Sequence, residues 1–261
     1  MTQPLLNVIF ASEKRKIALL LLQDGPKEME FFLSSLNTTR QALLPQMKVL
    51  EENYLITHYK DTYHLTNIGK VVVDEMIPLL NTISVFDSDI DYWGNHNLDF
   101  IPSFLLERIG ELKSCKNRIP PLQYAYEVDR KFAETSLRSS FVYGVTSVFH
   151  PNFTEVYTSL VDSGAQVSTI ITKELFQDLK TNNYDEFKNL INLGKINFFV
   201  YSNPVQIIFF ALNDVSIIFT LLTIENEWDH KTLSCLGQES INWGRELFEY
   251  YLRDSTPITE I

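Results

Sequence analysis

Cysteine is nearly absent: the 261 residues contain two, Cys115 and Cys235. Two isolated thiols exclude a disulfide framework and a cysteine-rich zinc site, and they fit a reducing compartment in which each is a small buried apolar side chain. The five histidines (His58, His64, His96, His150 and His230) include no pair at the spacing of a helical metal motif, so no metal site is expected. Glycine is scarce as well, nine residues with no cluster, which excludes the Gly-rich loops of dinucleotide and nucleoside-triphosphate sites and leaves no cofactor to expect. One apolar run, residues 205–224, has the length of a membrane span, but Asn213 and Asp214 stand at its middle, where a charge is costly in lipid. Split there, it reads as two strands of a buried hairpin. The first residues lack the basic region and cleavage site of a signal peptide, so a cytoplasmic protein without membrane contact is expected.

What is present is a folding composition, 45% apolar and 13% aromatic, with a net charge of −11 that is unevenly spread. Residues 1–72 hold eight Lys and Arg against seven Asp and Glu, whereas the remainder holds fourteen against twenty-six. Such asymmetry implies two parts with different partners, and a nucleic-acid contact belongs to the near-neutral first part.

Within that part, residues 37–70 are the most informative. Ser12 precedes a helical apolar face (Ile17, Ala18, Leu20, Leu21) that ends at Asp24-Gly25-Pro26. A short helix over 27–34 follows, and a third runs to about Glu52 from a cap at Asn37 or Thr38, burying Leu43, Met47 and Leu50. Pro45 inside it removes a backbone donor and is expected to kink it. Short strands at 55–57 and 63–65, joined by residues 58–62, lead to Thr66 as the cap of a long apolar helix. This order predicts a winged helix-turn-helix, whose second helix of the pair enters the DNA major groove. The readers would be Thr38, Thr39, Arg40 and Gln41, with Gln46 and Lys48 further along, and the wing would offer His58, Tyr59, Lys60 and Tyr63. The alternative is that Arg40 and Lys48 are merely solvated. So few cations neutralise few phosphates, which favours a homodimer, while the long helix could instead pack on its own domain.

The rest divides into a connector and an α/β region. Residues 84–97 are acidic and irregular, 101–112 and 122–137 are helix-forming, and Pro120-Pro121 is a break. Beyond Ser139, strands at 141–149, 166–172 and 196–201 alternate with helices at 153–162, 174–180 and 184–193; the hairpin and a last helix over 239–252 follow. That alternation predicts a mixed sheet covered by helices. Hence three parts are expected: a winged domain over 1–75, a helical connector and dimerisation region over 76–138, and an effector domain over 139–261.

Catalytic sets are missing from this sequence. Gly144 to Ser147 is not a nucleophile elbow, and Asp229-His230-Lys231 lacks the intervening residue of a His-x-Lys motif. A ligand crevice is nevertheless expected beyond the carboxyl ends of the strands, near His150, with Trp228, His230 and Lys231 as further candidates. A surface loop anchored by its Trp is the equal alternative.

Residues 44–51 (LPQMKVLE), Tyr63 to Thr66 and Gly69 resemble the N-terminal domain of archaeal winged-helix regulators related to the ArsR group. His96 to Pro102, Arg108 to Gly110, Gly144-Val145, Phe149 to Pro151 and Asn242 to Phe248 resemble the rest of the methanogenesis regulatory protein (Fil-type) family. The resemblance implies a methanogen transcription factor whose C-terminal effector domain is phospholipase D-like but non-catalytic. It also implies a link to two-component signalling, although the sequence lacks a receiver-domain pattern. The expectation is therefore a dimeric regulator of double-stranded DNA that senses a small-molecule effector or partner. The rivals are a winged-helix adaptor that does not bind DNA and a phosphodiester hydrolase.

Overall fold

A computed structural model of the chain describes residues 4–120, 129–150 and 152–260. It falls into two compact units, Met1–Leu80 and Asn81–Ile261. The segment expected to be a separate connector divides between them.

In the first unit, helices α1 (Leu5–Phe10), α2 (Glu13–Leu21), α3 (Met29–Ser35) and α4 (Arg40–Glu52) surround one core. Helix α1 was not anticipated; it contributes Val8 and Ile9 to that core. The apolar spacing of α4 is realised as read, with Leu43, Met47 and Leu50 buried. Its cap is neither Asn37 nor Thr38 but Thr39, whose hydroxyl accepts from the Ala42 N–H at 3.4 Å. Strands β2 (Ile56–Tyr59) and β3 (Thr62–Leu65) are longer than expected, so His58 and Tyr59 lie in a strand rather than in the turn. Strand β1 (Lys27–Glu28) replaces the first turn of the expected helix over 27–34 and adds to β3, in the order β1-β3-β2. Helix α5 (Asn67–Asp87) then starts against the wing. Thr66 accepts from the Gly69 N–H at 3.0 Å and donates to the Tyr54 carbonyl at 2.5 Å. A Cβ on Gly69 would stand 1.9 Å from the Leu55 carbonyl oxygen, which is why the chain needs glycine there. Three helices and a small antiparallel sheet in this order are a winged helix-turn-helix.

The second unit is built on an eight-stranded sheet in the order β11-β7-β6-β5-β8-β9-β10-β4. Strands β5 (Phe141–Thr146), β6 (Gln166–Thr172) and β7 (Ile196–Tyr201) are parallel, as the intervening helices α9 (Phe153–Asp162), α10 (Lys173–Asn182) and α11 (Tyr184–Asn192) require. The apolar run is a hairpin, β8 (Ile207–Asn213) with β9 (Ser216–Leu221). Its turn is fixed by the wholly buried Asn213, which accepts from the N–H groups of Val215 and Ser216 at 2.9 Å. The same side chain donates to Thr135 and Ser136 of α8 (Arg130–Ser136) at 2.9 Å. Three antiparallel strands went unread: β4 (Lys116–Arg118), β10 (Thr232–Leu236) and β11 (Ser255–Pro257).

Each face of the sheet carries its own core. On one, α12 (Gln238–Arg253) lays Trp243, Leu247, Phe248 and Tyr251 against Val145, Phe210 and Phe219. On the other, α8, α9, α10 and α11 bring Phe132, Phe153, Leu160, Leu179 and Phe187 against Val167, Ile171, Phe198 and Ala211.

The irregular acidic segment over 84–97 is in fact ordered: α5 continues to Asp87 and α6 (Ile90–Asn95) buries Tyr92 and Trp93. The helix expected over 101–112 is broken into α7 (Ser103–Leu106) and a 3-10 turn, Ile109–Leu112. The break has a cause in side-chain anchoring. The Trp243 indole donates to the Leu105 carbonyl at 2.9 Å, the Tyr251 hydroxyl donates to the Phe100 carbonyl, and Arg108 reaches Glu246 at 2.8 Å. Of the helix expected over 122–137, residues 122–128 lie outside the described residues, and only α8 remains.

The cysteines correct the reading of them as separate small residues. Ser234 pairs with Lys116 across β10 and β4, which places Cys235 opposite Cys115, and the two sulfurs are joined. Both are buried, at 4% and 0% exposure.

Candidate nucleic-acid interface and effector cavity

Helix α4 and the β2–β3 hairpin bring most of the predicted readers to the surface of the first unit. Arg40, Gln41, Lys48, His58, Tyr59 and Lys60 are exposed, whereas Thr38 and Gln46 are half-buried. Thr39 is exposed, with its hydroxyl committed to the helix cap. Tyr63 is the exception. Its ring is buried edge-on to Phe32 at 5.8 Å and stacks on His58 at 5.3 Å, and burial, aided by Asp61, raises its hydroxyl pKa. Alternation explains this: Tyr63 is the inward residue of β3, so it serves the core rather than DNA.

Arg40, Lys48 and His58 of this surface each lie beside a carboxylate. Arg40 places its Nη2 3.0 and 3.1 Å from the two oxygens of Asp61 and 3.9 Å from Glu30. Lys48 is 3.7 Å from Glu52, and His58 Nδ1 is 2.8 Å from Glu51. Lys60, at a left-handed φ of 57° in the hairpin turn, lies over the Tyr59 ring at 5.5 Å. The Arg40–Asp61 pair joins residues too far apart in sequence to be read from spacing. That pair forms because Met29, at the start of α3, donates its N–H to the Asp61 carbonyl at 3.2 Å and docks the hairpin turn beside α4.

In the second unit, a cavity of about 880 Å³ lies between strands β5, β6, β8 and β9 of the sheet and helices α8 and α9. Small residues floor it: Gly144, Thr146 and Thr169 of the parallel strands, with Ala211 and Thr220 of the hairpin. Helices α8 and α9 roof it with Phe132, Ala133, Phe153 and Tyr157. The Tyr157 hydroxyl is buried, which raises its pKa, and it meets the Thr169 hydroxyl at 2.6 Å. His150 and Trp228 line the cavity, the former edge-on to Phe209 at 5.8 Å.

The other two predicted ligand residues do not line it. His230, at a φ of 62°, packs on the Trp228 ring at 4.3 Å. Lys231 binds Asp229 at 3.1 Å and lies over the Tyr92 ring at 5.7 Å. Asp229 also stands 3.4 Å from the buried His96. Burial pushes the Asp229 carboxyl up, but the N–H and ammonium of Lys231 outweigh it and leave its pKa lowered. Among the described residues no three His, Cys, Asp or Glu are grouped to hold a metal ion, and no helix is long and apolar enough to cross a membrane.

A winged helix-turn-helix and an α/β unit with an internal cavity define a two-part chain of the regulator class. The chain belongs to the methanogenesis regulatory protein FilR1 family, whose N-terminal domain model matches residues 4–84 and whose middle domain model matches residues 125–254. The methanogenesis regulatory protein FilR1 of Methanothrix harundinacea (strain 6Ac) is 24% identical over 97% of the chain, and the chain spans 58% of that relative's length. Among solved structures, the archaeal chromatin protein TrmBL2 is similar over 97% of both chains, with a TM-score of 0.42 and 13% identity. Nuc from Salmonella typhimurium, a phospholipase D family member, is similar over 56% of this chain and 99% of its own, at 0.43 and 12%.

Proposed function

We propose that the chain is a DNA-binding transcription regulator, acting as a homodimer in the cytoplasm and controlled by a small molecule held in the α/β unit. The observation that carries the DNA reading is the exposed face of α4 beside the β2–β3 hairpin. Gln41 and Arg40 are the side chains suited to adenine and guanine edges, and Tyr59 and Lys60 are suited to the flanking backbone. With Arg40 and Lys48 of this face paired to carboxylates, one copy makes few phosphate contacts, so two copies on two half-sites account better for specific binding. Helix α5 supports that arrangement with Ile68, Val71 and Leu79 more than half exposed and Ile83 at 42%. This apolar stripe suits a second copy of the same helix.

Sensing would act through a difference in ligand affinity between DNA-competent and incompetent arrangements of the dimer. In this reading the α/β unit binds and does not catalyse, since Asp229-His230-Lys231 lacks the His-x-Lys spacing.

The test is a gel-shift titration on the chain's own upstream DNA with Arg40→Ala and Gln41→Ala. Each is expected to weaken binding by about tenfold or more, since a good base contact is worth about 1–3 kcal/mol. Wild-type affinity in both variants would remove α4 as the reader. A winged-helix adaptor is separated by salt, because DNA affinity must fall steeply with ionic strength as counterions are released.

A further inference from the structure

The chemistry of the 880 Å³ cavity narrows what it takes. Its volume lies in the range that encloses a small organic ligand. Several hydroxyls on its floor and roof are already hydrogen-bonded within the protein. Thr220 and Thr232 share a hydrogen bond at 3.2 Å, Tyr157 and Thr169 share one at 2.6 Å, and Thr146 donates to the Val148 carbonyl at 2.8 Å. The charged residues stand at its rim, exposed or paired. Arg118 is 3.8 Å from Asp129, Arg130 is bonded to Glu134 at 3.0 Å, and Glu155 is exposed. A sugar would have to break those internal bonds, and a phosphate held inside would lie away from Arg118 and Arg130, whose side chains are 41% and 93% exposed to solvent, so either would lose more than it gains. An aromatic ring meets Phe132, Phe153, Phe209 and Trp228 with no such loss.

From this geometry, and resting on the sensing role proposed above, we infer that the effector is an uncharged, largely apolar, ring-bearing molecule enclosed between the sheet and helices α8 and α9. The floor is made of small residues by alternation: Gly144, Ala211 and Thr220 line the cavity, while the side chains of Val145, Phe210 and Phe219 belong to the opposite core. The space exists because the cavity side of these strands carries small residues where the other side carries large ones.

The test uses the full chain and N-phenyl-1-naphthylamine, a neutral apolar dye, with inorganic phosphate and maltose as polar competitors. Saturable binding of one dye per chain is expected, with energy transfer from tryptophan that is reduced in Trp228→Phe. Neither polar competitor at millimolar concentration should displace the dye. Ala133→Trp, which fills the space from the roof, should weaken dye binding at least tenfold. Displacement by phosphate or maltose, or undiminished binding in a folded Ala133→Trp, would each overturn the inference. Dye binding that follows this pattern but leaves operator affinity unchanged would preserve the ligand class and refute the sensing role.

Discussion

Arg40 is the residue on which the DNA surface turns, and its nearest partner is an acid of the same unit. The Arg40–Asp61 pair is half exposed at both ends, 47% and 50%, so it is worth only about 0–1 kcal/mol and a phosphate can displace it. Asp61 therefore competes with DNA rather than locking the arginine. Asp61→Asn is expected to tighten binding to nonspecific DNA up to about fivefold and to steepen the salt dependence by about one ion. Fluorescence anisotropy across a salt series reads both, and unchanged affinity would mean that Arg40 does not reach phosphate. The exposure of position 40 on α4 was legible from helix spacing; its carboxylate partner was not, because the pair is set by the docking of the hairpin turn on α3. Tyr63 marks the same boundary. Its residue type suits a wing contact, but its inward place in the strand commits it to the core.

At the scale of elements, the wing depends on how closely α5 approaches β2. A Cβ at Gly69 would lie 1.9 Å from the Leu55 carbonyl oxygen, a contact with backbone that cannot swing aside. Gly69→Ala should cost about 1–3 kcal/mol by forcing the first turn of α5 away, read as a lower denaturation midpoint. A midpoint equal to wild type would show that the helix start relaxes freely.

The 100–112 segment and α12 make a second such junction, held by Arg108, which forks onto Glu246 and Glu111 at 2.8 to 3.0 Å. Hydrogen bonding from Arg108 holds the Glu246 carboxyl below its usual 4.5. The folded state therefore binds that proton less readily than the unfolded chain. The stability this pair adds is fully present above about pH 4.5 and is lost as pH falls through the lowered folded value. Arg108→Gln should lower the melting temperature at neutral pH, and the gap to wild type should close below that pH. A gap independent of pH would assign the loss to packing alone. Periodicity predicted a continuous helix over 101–112 because its apolar residues repeat correctly. The anchors that interrupt it, Trp243 and Tyr251, lie more than a hundred residues away in sequence.

Across the whole chain, the cysteine pair ties β4, the outermost strand beside β10, into the second unit over a separation of 120 residues. Closing a loop of that size stabilises by about 2–5 kcal/mol, chiefly by restricting the unfolded chain. Cys235→Ala should lose that amount under non-reducing conditions, and a strong reductant should bring wild type down to the level of the variant. Equal stability with and without reductant would contradict the pairing. Two cysteines so far apart carry no spacing signal, and β4 is only three residues long, so its register with β10 could not be read beforehand.

Local periodicity and capping chemistry decided much of this protein by themselves. The apolar face of α4, the hairpin that leads to α5, the alternation of strands and helices after Ser139 and the break at Asn213-Asp214 all depend on contacts within a few residues. Charge distribution added which unit would meet DNA. Tertiary structure decided what depends on distant partners: that Tyr63 turns inward, that Arg40 faces Asp61, that Cys115 meets Cys235 and that Val85, Tyr92, Trp93 and His96 are buried. It also decided the cavity, because small residues on four strands leave a space only when the sheet aligns them under a roof of helices. Short-range order follows from the chain's own periodicity, whereas sites are made where segments remote in sequence share one volume.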